Sequence, residues 1–530
     1  LDSSAALDRR DVTESGGRRT LIVLAVMAAC LMQTLDSTIT NVALPTIQGN
    51  LGADQDEGTW IVTAYTIAAI VIIPLTPWLQ NRFGRRNYFV ASIAGFTLAS
   101  IVCGASSDLT TLIGARVVQG AFGGGLLATA QSILRDTFPP RQLGVSQGIF
   151  AMGAILGPAL GPPLGGLLVD NFAWNWVFDI NIVPGLFAGL VLAFMLRDPD
   201  TARSAPVDFP GLAFLAAGLG SMQYVLTEGE QHYWFADAAV VFFTLLMIAA
   251  LAAFVWWELF GTRAPMVDLR ILRNRSVVAG SLLGLALGGA VFGSTYILPQ
   301  FTQSLLGFTP TLSGDLFILR AVPIIFVAPI LVRMTGKVDP RILLGLGFLL
   351  VALGSWLQAG VTTAEAGFWS FAPALIITGV GSAMLFIPLS IAVLAATIPE
   401  DGPKASAFIN LSVQLGGSIA VAALAILIDW RWTYHSTILG AGQTLANPIV
   451  RLFLHSGAPI DLSNIVNAQA AIFAYADSTN AIAVVCLACV PLVLLMRKAT
   501  AKREAAVPAA TDTSKAVHSI GPRRPDVKAA

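Results

Sequence analysis

LIVLAVMAACLMQTLDSTITNVALP, residues 21–45, decides the fold class. The stretch carries one charge, Asp36, and is long enough to cross the roughly 30 Å hydrocarbon core of a bilayer. An Asp at the centre of a membrane helix costs about 2.5–3.5 kcal/mol even on insertion scales, so such residues are rare and mark function. What Asp36 does depends on what the rest of the chain places near it.

The composition agrees with a membrane reading. The 530 residues are 55% hydrophobic and 12% charged, against about 25% charged in a soluble domain, and the mean hydropathy is +0.74. The chain is therefore read as an all-α integral membrane protein. Its net charge of zero gives nucleic acid no purchase. Cys30, Cys103, Cys486 and Cys489 all lie within or at the edge of apolar stretches. The C-x-x-C of the last two sits inside the apolar run 481–496, which suits two small buried residues better than a redox or metal motif. The glycines of LIGARVVQGAFGGG (112–125) lie inside a span and lack the Lys-Ser/Thr ending of a phosphate loop, and no Walker A pattern occurs. The histidines, His232, His435, His455 and His518, are read as loop or tail residues without catalytic or metal spacing. Neither an enzyme nor a bound cofactor or metal is expected. The first span is too long for a signal-peptide core and lacks a clear small-residue cleavage site, so it is expected to be retained.

A hydropathy window of about 19 residues finds fourteen spans, near 21–44, 59–80, 88–106, 109–131, 143–169, 175–196, 209–227, 236–259, 277–299, 312–333, 342–360, 367–396, 404–428 and 475–496. With the amino terminus in the cytoplasm and the loops alternating, every Lys and Arg except Arg116, Arg320, Arg431 and Arg451 falls on the cytoplasmic side. That asymmetry predicts an even span count with both termini cytoplasmic. The spans divide as six, two and six. The loop NRFGRR (81–86) after the second span has a weak echo, MTGKVDPR (334–341), after the tenth. Internal repeats of this kind are typical of secondary transporters, whose sites lie near the midplane between halves. The expected organisation is a cytoplasmic segment 1–20, a six-helix bundle 21–200, two inserted helices 201–262, a second six-helix bundle 263–497 with an extracytoplasmic loop 430–470, and a disordered cytoplasmic tail 498–530.

Three further segments carry chemistry. PWLQNRFGRR (77–86) joins two spans through a tight basic turn, in which Gly84 permits a conformation other residues resist and Arg82, Arg85 and Arg86 can pair with acids or helix carboxyl ends. LIGARVVQG (112–120) buries Arg116, which stays ionised and needs an acceptor. GAILGPALGPPLGG (153–166) sets Gly153, Gly157, Gly161 and Gly165 four residues apart, a groove for a neighbouring helix, while Pro158, Pro162 and Pro163 remove backbone donors.

At these segments the chain resembles the major facilitator superfamily, and most of all its fourteen-span drug:proton antiporters of the EmrB/QacA type. LDSTITNVALP (35–45) is similar to that subfamily's first-helix signature, PWLQNRFGRR to its loop motif, LIGARVVQG to its helix-four arginine motif, and GAILGPALGPPLGG to its helix-five antiporter motif. FDINIVPG (178–185) resembles its helix-six segment. The resemblance covers roughly residues 20–497. It implies that Asp36 is the proton or substrate carboxylate, that Arg116 assists proton transfer, and that the helix-five glycines form an inter-domain hinge. It also implies a periplasmic adaptor and an outer-membrane channel as partners, with the loop 430–469 as a docking element; an interfacial helix is the other reading of that loop. Asn81 stands where the loop motif usually has Asp and Pro77 where it usually has Gly, so the charge interaction that locks one gate state in the family is expected to be weaker here or made by other residues.

Topology alone places the remaining charges. At 1.5 Å per residue, Asp36 lies about 22 Å from the inner end of its span, Arg116 about 10 Å and Arg320 about 12 Å from the outer ends of theirs. These three share one layer in the outer half of the membrane, with Asp179 and Asp315 shallower, about 5 Å in. The five form the candidate proton and substrate set. Arg82, Gly84, Arg85, Arg86, Gly153, Gly157, Pro158, Gly161, Pro162 and Gly165 form the gating and packing set. A static structural pair of Asp36 with Arg116 is the alternative to a titrating one. The expected function is multidrug efflux across a bacterial inner membrane, small amphipathic or hydrophobic molecules being exchanged for protons; a facilitator importing a metabolite is the alternative. Arg320 tilts the substrate expectation toward neutral or anionic compounds.

Overall fold

The computed structural model describes residues 16–53, 55–139, 142–197, 208–229, 233–262, 265, 267–334, 337–397, 401–441, 443 and 459–496. The predicted tail 498–530 and most of the segment 1–20 lie outside these residues, as do His232, His455 and His518. Among the described residues the chain is helical, with fourteen segments long and apolar enough to cross a membrane. They are α1 (Gly16–Leu44), α2 (Glu57–Phe83), α3 (Arg85–Gly104), α4 (Leu109–Thr137), α5 (Gly144–Asn171), α6 (Trp176–Met195), α7 (Phe209–Glu228), α8 (Ala238–Gly261), α9 (Arg275–Ser304), α10 (Pro310–Met334), α11 (Pro340–Gly360), α12 (Phe368–Ala395), α13 (Gly402–Ala441) and α14 (Leu462–Leu495). Large apolar side chains such as Val183, Phe194, Phe242 and Phe326 stand exposed around the molecule, the surface a bilayer would cover.

Two bundles account for the core. In α1–α6, Ile22, Ala29, Phe89, Phe96 and Phe150 pack into one buried cluster; in α9–α14, Leu283, Leu344, Phe348, Leu394 and Ile482 pack into another. α7 lies against α2 and α8 against α7, and Leu215, Leu219 and Phe254 join Ile70 and Leu75 in one buried cluster. The bundles meet chiefly along α5 and α10. A Cβ at Gly314 would stand 2.6 Å from the Pro162 carbonyl oxygen and one at Gly166 2.7 Å from the Pro310 backbone, so only glycine admits this approach. Ala151 of α5 also joins Ile324, Ala328 and Ile387 in a cluster that spans both bundles. By the alternation of the spans, Arg18, Arg82, Arg135, Arg333 and Lys404 fall at one end of the molecule, its basic end. There the Asn410 side-chain amide of α13 donates to Gln131 Oε1 of α4 at 3.3 Å, a hydrogen bond between the bundles.

One boundary differs from the expectation. The segment read as a loop from 430 is helical at both ends. The helix Gly402–Ala441 has 40 residues, about 60 Å and twice a bilayer core, and the next helix begins at Pro459. Residues 442 and 444–458 lie outside the described residues. WRWTYH is too polar for a hydropathy window, yet it contains no helix breaker, and charge pairing holds it. Arg431 Nε donates to Asp477 Oδ2 at 2.6 Å, His435 Nε2 lies 2.8 Å from the same oxygen, and Trp432 Nε1 donates to the Asn467 carbonyl at 3.3 Å. His435 is thus a helix residue with an acidic partner.

Candidate functional site

The site grows from α1, whose apolar sequence makes a continuous helix through Asp36. No part of Asp36 reaches solvent, so its charge must be satisfied by neighbouring helices. α4 supplies two donors. Asp108 caps its start by accepting from the Thr111 N–H at 2.9 Å, and from that start Arg116 and Gln119, three residues apart, share one helix face. Arg116 Nη1 donates to Asp36 Oδ2 at 2.6 Å, and Gln119 Nε2 to Asp36 Oδ1 at 2.8 Å. α6 supplies a third donor, Asn181 Nδ2, also 2.8 Å from Oδ1. The short Trp176–Asp179 turn and its continuation into Ile182–Met195 place Asn181 there.

The donors are themselves held. Arg116 Nε donates to the Ile61 carbonyl at 2.9 Å, and its Nη1 also reaches Gln119 Oε1 at 2.7 Å. Its guanidinium lies 4.2 Å above the Tyr65 ring. Ser100 of α3 accepts from Gln119 at 2.6 Å and from Asn181 at 3.0 Å. The result is a closed cage of α1, α2, α3, α4 and α6 around one carboxylate. It surrounds the carboxylate with side-chain donors from α4 and α6.

The other predicted residues divide. Asp179 is half-buried outside the cage; with Met32, Leu35, Phe172, Trp176 and Asn181 it lines a cavity of about 500 Å³. Asn181 therefore borders both the cavity and the cage. Asp315 is half-buried on α10 and makes no hydrogen bond or ion pair among the described residues. Arg320 is buried on α10 in the second bundle, where its hydrogen-bond partner is Ser382 Oγ at 3.4 Å. Depth grouped Arg320 with Asp36 in one layer, and Arg320 stands in the second bundle, as its place in the sequence implied.

In the gating set, Gly84 adopts φ 83°, ψ 143° between two helical segments, a conformation L side chains resist. Arg85 pairs with Asp136 at the end of α4, Arg86 donates to the Ala193 carbonyl of α6, and Arg82 stands in the last turn before Gly84. Asn81 lines a pocket with Asp268 and Lys404, and Lys404 Nζ lies 2.8 Å from Asp268 and 2.9 Å from Asp401. The α5 glycine row faces α1. Cβ atoms at Gly157 and Gly161 would collide with the Thr34 and Thr38 hydroxyls, and those at Gly153 and Gly165 would stand 3.1 Å from Cys30 and Ile39. The row thus packs inside the first bundle, and Pro162, Pro163 and Gly166 provide the approach to the second. Pro158 lies within the helix beside the row.

Gln119, Asn181 and Ser100 were not singled out from sequence. Gln119 had a signal, its place three residues after Arg116; Asn181 had only its place within FDINIVPG.

Comparison with known proteins gives consistent matches. The pattern of the Major Facilitator Superfamily matches residues 26–314 and 281–454. The multidrug export protein EmrB of Escherichia coli (strain K12) is 33% identical over 438 residues, 82% of this chain and 85% of that protein. The fatty acid resistance protein FarB of Neisseria gonorrhoeae is 33% identical over 429 residues, 78% of this chain and 82% of that protein. Among solved structures, the human organic anion transporter MFSD10 superposes with a TM-score of 0.57 at 15% identity, covering 89% of this chain and 100% of that one. At that identity the likeness speaks for the fold alone.

Proposed function

The chain belongs to the major facilitator superfamily, and from that premise we propose that it is a proton-coupled multidrug exporter of a bacterial inner membrane, with Asp36 as the proton-carrying group. The observation that carries this reading is the sealed cage: a lone carboxylate held by three side-chain donors from α4 and α6. The donors and the acceptor sit on different helices, so gain of a proton by Asp36 and movement of α1 are one event. α1 lies on the glycine row of α5, which lets the two helices approach closely. Protonation loosens α1 from α4 and α6, the bundles rock, and release of the proton on the other side restores the cage.

Direction follows from charge placement and from the relatives. The basic end is assigned to the cytoplasm by the positive-inside rule, which also puts both termini there. The 33%-identical relatives are named for export and resistance, which favours efflux of small amphipathic molecules over import of a metabolite. One charge crossing about 100 mV supplies about 2.3 kcal/mol, enough for roughly a 50-fold gradient. In proteoliposomes with an imposed pH gradient, the wild type should move an amphipathic dye against its own gradient and Asp36→Asn should not. A dye flux indifferent to the pH gradient rejects proton coupling.

The finer partner reading rests on the α13–α14 hairpin, whose helices run past the membrane thickness at the end opposite the basic one. It is assigned as the docking element for a periplasmic adaptor leading to an outer-membrane channel. Shortening the segment 430–470 should abolish co-purification with such an adaptor while transport in proteoliposomes persists; unchanged co-purification rejects the assignment.

A further inference from the structure

Asp36 has no exposed surface, so a proton that reaches it must pass through the wall of its cage. That wall is thin at one place. The cavity of about 500 Å³ lies between α1, α5 and α6, all of the first bundle, with Met32, Leu35, Phe172 and Val183 among its apolar lining. Of Asp36, Ser100, Arg116, Gln119 and Asn181, Asn181 alone lines it. Asn181 Nδ2 also donates to Asp36 Oδ1 at 2.8 Å. One residue therefore stands between the cavity and the buried carboxylate.

The same cavity holds an acid. Asp179 is half-buried in its lining and makes no hydrogen bond or ion pair among the described residues. α3 seats it: a Cβ at Gly104 would collide with Asp179 Oδ1, and one turn deeper on α3 Ser100 accepts from Asn181 at 3.0 Å. Asp179 and Asn181 thus follow each other inward along α3, about 6 Å apart in depth. α1, α3 and α5 pack against the turn that carries Asp179. Their charged residues are Asp36 and Asp170 in the outer half and Arg18, Arg19, Arg85 and Arg86 at the basic end. Asp170 accepts from the Thr311 hydroxyl of α10, and Arg116 of α4 is committed to Asp36, Gln119 and the Ile61 carbonyl. No cation of the outer half neutralises Asp179, and an acid so placed in a membrane span marks a proton pathway. We propose that Asp179 collects protons from the outer solution and passes them to Asp36 through the gap that Asn181 closes, by a route inside the first bundle and apart from the space between the bundles. The Asp179 carboxyl gives its proton to a water in the cavity, and that water protonates Asp36 Oδ1 when the Asn181 amide turns aside. Asp179, left as a carboxylate, takes its next proton from the outer solution. The inference rests on the proton-coupled reading above and deepens it by assigning the entry route.

The test uses full-length protein in proteoliposomes with its basic end outward, so that the lumen bathes the outer face. Ethidium uptake driven by an acid lumen is followed at a constant pH difference while the lumen is stepped from about pH 7.5 to about pH 5.5. Asp179→Asn should transport at least about tenfold more slowly than wild type in the neutral lumen, the low side of what a positioned proton carrier contributes. In the acid lumen it should come within about twofold of wild type, because bulk protons then replace the relay. Asp179→Glu should keep most of the neutral-lumen rate, since it keeps the carboxyl. Ethidium-for-ethidium exchange without a gradient and the melting temperature should be unchanged in Asp179→Asn, because neither needs a proton to enter. Equal rates for wild type and Asp179→Asn in the neutral lumen, a deficit that acid does not narrow, or a loss of exchange overturns the proposal. Should Asp179→Asn fail to fold, Asp179 is structural and the proposal falls; an Asp179→Glu as slow as an unfolded control has the same meaning. The two readings fail separately. A wild type indifferent to the pH gradient rejects proton coupling and the relay with it. A wild type driven by the gradient and matched by Asp179→Asn at every lumen pH rejects the relay alone.

Discussion

Arg116 Nη1 lies 2.6 Å from Asp36 Oδ2, with side-chain exposures of 1% and 0%. A pair this enclosed is either a fixed strut or a proton site at rest, and the two differ in what happens when the charge on Asp36 is removed. The structure adds a detail on which the distinction turns: Arg116 keeps two other acceptors, the Ile61 carbonyl and Gln119 Oε1.

Asp36→Asn should therefore fold and insert. Its stability loss should fall near the low end of the roughly 3–5 kcal/mol seen when a buried pair is broken, because the arginine is not left bare. Proton-driven efflux should drop to the background of empty liposomes. Substrate-for-substrate exchange should persist, since rocking of the bundles does not itself need a proton. Melting temperature and transport measured on one sample separate the cases: a collapsed melting temperature marks a strut, and a stable variant that still pumps rejects both readings.

Arg116→Lys should not rescue transport although it keeps the charge. The guanidinium serves Asp36, Gln119 and the Ile61 carbonyl at once and lies 4.2 Å above Tyr65. An ammonium is a single point on a flexible stem and cannot hold that geometry. Transport should fall at least about tenfold, equivalent to ~1.4 kcal/mol. A near wild-type rate would reduce Arg116 to a counter-charge.

The sequence made the charged half of this site legible and the neutral half nearly invisible. Asp36 and Arg116 stand out because charge in an apolar run has a cost that demands a reason. Gln119, Asn181 and Ser100 carry no such cost and hide among the other small and polar residues of the spans. Depth along a helix and the bundle a helix belongs to can be counted from residue numbers; which side chains face Asp36 cannot, which is why the donors Gln119 and Asn181 appear only in the structure. The fourteen spans were readable from hydropathy because lipid imposes it. The C-terminal part of α13 was not, because there the helix is held by Arg431, His435 and Asp477 and not by apolar burial.

At the basic end, acid should weaken one contact in a defined range. Burial pushes the Asp268 carboxyl up, but the hydrogen bond and charge of Lys404 and the Arg270 N–H outweigh it and hold it below its ordinary 3.8. A folded value below the unfolded one means the contribution is complete above about pH 4 and lost as the pH falls through the folded value. Asp268→Asn keeps the helix cap made to the Arg270 N–H and removes only the charge. The melting-temperature gap between wild type and Asp268→Asn should stay constant from neutral pH down to about pH 5 and close below about pH 4. A gap that persists in stronger acid would show that Asp268 acts through something other than its charge.

The α5 glycines should rank by what faces them. Alanine at Gly157 or Gly161 drives a methyl into the Thr34 or Thr38 hydroxyl, and at Gly157 also to within 2.9 Å of the Thr34 backbone carbon. Both hydroxyls hydrogen-bond their own helix, Thr34 to the Cys30 carbonyl at 2.8 Å and Thr38 to the Thr34 carbonyl at 3.3 Å, so neither turns away freely. Alanine at Gly153 or Gly165 meets Cys30 or Ile39 at 3.1 Å, a clash that a few tenths of an ångström relieves. Overpacking of the first kind costs about 1–3 kcal/mol and forces α1 away from α5. Gly157→Ala and Gly161→Ala should therefore lower the melting temperature and transport far more than Gly153→Ala and Gly165→Ala. Thr34→Ala should partly restore Gly157→Ala, because it removes the hydroxyl and leaves the backbone contact. Equal effects at all four positions would mean the row serves the hinge between bundles as a whole, and not the seat of the helix that carries Asp36.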